Sequence, residues 1–113
     1  MDGIILDGLL GKQYEFAPFE NEMVKVEAAG PRISVGFKNN AGTPYSWWEP
    51  TYPFTQPPPT LKLPPVNGWD FSVETSSPEL TRAILQKGDQ RHVLTLRVTD
   101  PNATPKPVEV TWE

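Results

Sequence analysis

The chain has 113 residues, ten basic and fourteen acidic side chains for a net charge of −4, and no cysteine. This length fits one domain able to bury a core. The cysteine-free composition excludes disulfide frameworks and Cys-based zinc sites. The scattered, mildly acidic charge argues against binding a nucleic-acid backbone and reads as solubility.

The start, Met1-Asp2-Gly3-Ile4-Ile5-Leu6-Asp7, is acidic, and Asp7 ends its apolar run after three residues, which does not fit a secretory signal. If Met1 is the natural start, a cytoplasmic location is expected. No stretch reaches the roughly 20 apolar residues of a membrane helix, so no membrane partner is expected. Fourteen prolines are more than twice the usual share of about 5%. Together with four tryptophans and clear alternation, they point to short strands with proline-rich connections rather than to disorder.

Alternation begins at Val24, Val26 and Ala28, set between Lys25 and Glu27, and continues at Ile33, Val35 and Phe37. Gly30-Pro31 separates the two runs. A two-residue loop there predicts a hairpin pairing Ala28 with Ile33, Val26 with Val35 and Val24 with Phe37, with glycine suited to the first turn position. The alternative is that Gly30-Pro31 ends one strand and the chain crosses to another sheet.

Residues 43–65 interleave proline with aromatics and are read as a long ordered connection packed on the domain. Pro57–Pro59 is expected in the polyproline II form, and Leu61 and Leu63 in an edge strand. Tyr45, Trp47, Trp48, Tyr52 and Phe54 are the candidate binding residues of this segment. On an extended chain Trp47 and Trp48 point to opposite sides, so one is expected to pack inward and the other to stay at least partly exposed.

Trp69, Phe71 and Val73 alternate again. From Ser77 to Gly88 the punctuation suits a short helix near 78–87, capped by Ser77, opened by Pro78 and stopped by Gly88. A strand around Arg82–Gln86 turning at Lys87-Gly88-Asp89 is the alternative.

The last alternating runs are Leu94, Leu96, Val98 and then Val108, Val110, Trp112, joined by Asp100–Pro107, a loop rich in turn residues. This stretch resembles the closing hairpin of many immunoglobulin-like domains. The fold expected is therefore all-β, a single antiparallel immunoglobulin-like β-sandwich spanning 1–113. Its core would hold Val24, Val26, Ile33, Val35, Phe37, Trp69, Phe71, Val73, Leu94, Leu96, Val98, Val108 and Val110.

Chemistry-bearing motifs are few. His92 is the one histidine and is read as structural, since zinc wants several ligands. Asp70 and Glu74, four apart on one strand, stand roughly 13 Å apart and look like a solvated face. Asp100 and Asn102 suit an Asx turn. No glycine-rich phosphate loop or nucleophile elbow occurs. No cofactor, no metal and no enzymatic activity are expected. The leading function is a protein-interaction module presenting the proline/aromatic segment or an open sheet edge. The alternatives are a carbohydrate-binding sandwich and a structural subunit assembling through strand edges.

Overall fold

The computed structural model describes residues 13–29, 32–39, 41–55, 63–66 and 68–113; for Tyr45 and for residues 63–66 only the backbone is described. Ten strands form: β1 (Tyr14–Glu15), β2 (Phe19–Glu20), β3 (Val24–Ala29), β4 (Arg32–Lys38), β5 (Pro44–Trp48), β6 (Leu63–Val66), β7 (Trp69–Ser77), β8 (Leu80–Lys87), β9 (Gln90–Val98) and β10 (Lys106–Trp112). They make two sheets, ordered β1-β10-β9-β8-β7-β6 and β2-β3-β4-β5. Apart from β1, which pairs in parallel with β10, every pairing is antiparallel between consecutive strands. The described residues contain no helix.

The β3–β4 register is the expected one, with Val24 opposite Phe37, Val26 opposite Val35 and Ala28 opposite Ile33. The turn at Gly30-Pro31 lies outside the described residues, as do Pro57–Pro59, Leu61 and the acidic start. The closing hairpin also forms, pairing Val98 with Val108, Leu96 with Val110 and Leu94 with Trp112. In its loop the Asp100 carboxylate accepts the Asn102 N–H at 3.1 Å, an Asx turn.

Two expectations are corrected. The segment near 78–87 is not a helix but strand β8, and its side chains alternate: Thr81, Ala83 and Leu85 are buried, whereas Leu80, Arg82, Ile84 and Gln86 are half-buried on the other face. A helix would have placed Leu80, Ala83 and Ile84 on one side; pairing on both flanks with β7 and β9 overrides the local punctuation. The Ser77 hydroxyl accepts the Glu79 N–H within the β7–β8 turn, and Gly88 supplies the positive φ (59°) of the next turn. The second correction is that residues 43–65 are not one connection, because Pro44–Trp48 pairs with β4 as strand β5.

One core lies between the sheets. Val24, Val26, Ile33, Val35 and Phe37 come from the four-stranded sheet, and Phe71, Ala83, Leu85, Leu94, Leu96, Val98 and Val108 from the six-stranded one. The Phe37 and Phe71 rings, 4.2 Å apart between centroids, join the layers. Trp69, Val73 and Val110, expected in the core, are half-buried. Tyr14 and Phe54 complete the core. Neither sits in an alternating run, so periodicity gave no sign of them.

Chain 14–20 closes one side of the molecule. It pairs first with β10 and then, through Phe19–Glu20, with β3 of the other sheet. The buried Tyr14 hydroxyl accepts the Tyr52 N–H at 2.7 Å, which ties the stretch after β5 to this crossing. Tyr14→Phe is expected to lower stability by about 1 kcal/mol, because it leaves that N–H without its acceptor. Urea denaturation monitored by far-UV circular dichroism checks it, and an unchanged midpoint would show that water replaces the hydroxyl at no cost.

Candidate functional site

The five aromatic candidates do not share one surface. β5 is short and extended, so Trp47 and Trp48 leave opposite faces. Trp48 stands opposite Val35 and packs half-buried against the core, whereas Trp47 stands opposite Gly36 on the outer face. Trp47 is 54% exposed and is the one large hydrophobic side chain exposed among the described residues. Tyr52 is half-buried, with Lys106 Nζ 5.4 Å above its ring, and meets Phe54 edge-on at 6.4 Å. Phe54 is buried. The backbone of Tyr45 lies at a register shift of β5 against β4.

The floor under Trp47 is a glycine. A Cβ on Gly36 would stand 3.2 Å from Pro44 Cβ and 3.4 Å from Trp47 Nε1, so the proline ring and the indole meet over this bare backbone. Sequence reasoning passed over Gly36, Pro44, Glu20 and Lys38. The usable signal was an isolated glycine inside an alternating strand, which marks close approach by another group.

Charged side chains share this outer face of the sheet, and the described ion pairs there are each internally neutral. Lys38 Nζ lies 2.6 Å from Glu20 Oε2, Lys25 pairs with Glu27 at 3.5 Å, and Arg32 with Glu49 at 3.9 Å. Lys38 is nearly buried, whereas Glu20 remains half in water. The hydrogen bond donated by Lys38, and then its positive charge, hold the Glu20 carboxyl below its ordinary value. A carboxylate with a depressed folded-state value adds stability that is present above its unfolded-state value. That stability is lost as pH falls through the folded-state value. Glu20→Gln is therefore expected to lower Tm at neutral pH and to bring the wild-type and variant curves together in acid. Thermal melts between pH 7 and pH 2 check this, and a Tm gap that persists in acid would contradict it.

A second ring cluster lies at one end of the inner face of the six-stranded sheet. His92 stacks on Trp112 at 4.9 Å and 14° and lies 5.4 Å from Trp69, and Phe19 meets Trp112 at 6.2 Å. His92 Nδ1 is 3.0 Å from the Glu113 carbonyl oxygen. The histidine thus occupies a packed position. Among the described residues, no group of three or more His, Asp or Glu side chains is gathered as metal ligands would be. Asp70 and Glu74 lie on the exposed outer face of β7, as their spacing suggested.

No family model matches the chain, and neither does any curated protein or solved structure.

Proposed function

We propose that the protein is a non-enzymatic interaction module that meets a protein partner through Trp47 on the outer face of its four-stranded sheet. One observation carries this reading: a large indole stands 54% exposed while Trp48, Tyr52 and Phe54 turn inward. Exposed aromatics on a rigid scaffold are the usual anchors of protein interfaces. The surrounding neutral ion pairs suit the polar rim of such a contact. A carbohydrate platform is the less favoured reading, because a sugar chain gains from several coplanar rings and Trp47 is the one exposed large ring among the described side chains.

In the same reading the chain is a single domain of the immunoglobulin-like kind. The support is the two-layer core, the closing β9–β10 hairpin and a first strand that runs parallel to the last. The consecutive strand order in both sheets is simpler than the Greek-key connections of that class.

The test compares wild type with Trp47→Ala in affinity capture from the source cell, alongside an oligosaccharide array. The reading expects a discrete protein captured by wild type, lost in the variant, with Tm unchanged. Trp47-dependent binding to a glycan, or capture indifferent to Trp47, would refute it.

A further inference from the structure

Sheet edges carry unpaired N–H and C=O groups, and domains guard them with prolines, very short strands or covering chain. Most edges here are guarded. β6 reads Leu63-Pro64-Pro65-Val66, so half of its residues have no N–H to offer. β2 has two residues and follows Pro18, and β5 opens on Pro44 and runs beside β6. β10 differs. β1 covers only Lys106 and Pro107, and no proline stands between Val108 and Glu113.

The bonding alternation shows which groups are open. Val93 and Glu113 exchange both main-chain hydrogen bonds, at 3.0 and 3.3 Å, and Thr99 donates to the Pro107 carbonyl at 3.0 Å. In an antiparallel pair this directs the odd-numbered residues of β10 toward β9 and the even-numbered ones away. The Lys106 N–H, which donates to the Gln13 carbonyl, follows the same rule. The N–H and C=O groups of Val110 and Trp112 therefore face outward along the edge, and no strand among the described residues pairs with them there.

The side chains define what fits. On the inner face, the half-buried Val110 and Trp112 form an apolar row, with Phe19 of the other sheet against Trp112. On the outer face, Glu109, Thr111 and Glu113 are exposed. We propose that the β10 edge at Val110–Trp112 binds an extended segment of a partner protein in which apolar and basic residues alternate. The segment pairs antiparallel to β10. Its apolar side chains prolong the Val110–Trp112 row, and its Lys or Arg side chains stand beside Glu109 and Glu113.

A second copy of this chain does not fit. Pairing Val110 with Trp112 of the other copy sets Glu109 against Glu113 of that copy, twice over. Centring the pair on Val110 instead puts Glu113 of the second copy where Glu15 already lies along Pro107. This edge is separate from Trp47, and neither proposal depends on the other.

The probe is a blocked peptide of alternating Val and Lys, with a Val/Glu peptide as its counterpart. Each is titrated into the whole chain while amide hydrogen exchange is followed by NMR. The Val/Lys peptide is expected to slow exchange at Val110 and Trp112 by about tenfold or more, and the Val/Glu peptide to leave it unchanged. Val110→Pro removes one outward N–H without touching a β9 bond and should abolish the protection. Should that variant fail to fold, Glu109→Lys with Glu113→Lys serves instead, and it should reverse the preference toward the Val/Glu peptide. Equal response to both peptides, protection elsewhere, or no protection at about 1 mM peptide would overturn the proposal.

Discussion

Replacing Phe37 by Ala is expected to destabilise the protein by about 3–5 kcal/mol, the largest effect of any single truncation here. The ring is fully buried, stands opposite Val24, and packs on Phe71 of the facing sheet. Its removal subtracts both transfer free energy and the closest ring pair described between the layers, and Gly36 on one side cannot fill the space. Equilibrium urea denaturation of Phe37→Ala beside Trp47→Ala is the measurement. The exposed Trp47 should cost within about 0.5 kcal/mol of nothing. A loss below about 1.5 kcal/mol for Phe37→Ala would mean that the sheets close over the vacancy.

The second large effect is expected at Gly36. Gly36→Val puts branched carbon where Pro44 Cβ and Trp47 Nε1 already stand 3.2 and 3.4 Å from an added Cβ. Overpacking of this kind costs about 1–3 kcal/mol. The indole has solvent on its other side and yields more readily than the proline ring held in β5. The variant should therefore lose stability and also show altered Trp47 fluorescence. If binding runs through Trp47, affinity falls as well, even though Gly36 touches no partner. A melting temperature and an emission spectrum both matching wild type would show that Trp47 does not rest on this glycine.

Where alternation was strict and paired with a turn signal, the fold was legible from the sequence. The β3–β4 register follows from matching apolar residues across Gly30-Pro31, and the β9–β10 hairpin from alternating runs joined by the turn-rich Asp100–Pro107. The β8 strand was less legible, because Ser77-Pro78 and Gly88 punctuate a helix and a hairpin alike. Only its two flanking partners decide between them, and those are tertiary facts. Tyr14 and Phe54 were less legible for a related reason: neither lies in a sustained alternating run, and their burial depends on where the chain crosses between sheets. At the candidate site, opposite-facing tryptophans followed from the extended backbone, but which one faces out depended on the β4–β5 register.

The crossing of residues 14–20 bears on the order of assembly. Both sheets are otherwise built from neighbours in sequence, so their hairpins close short loops at small entropic cost. The contact of Tyr14 with Lys106 joins nearly the two ends of the chain and needs β10 in place before it has anything to join. The first of the described strands is thus expected to dock last and leave first. Opening there is expected to uncover the Val108 side of the core while β3–β5 and β6–β10 stay paired, giving states with one flank unzipped before the molecule unfolds as a whole.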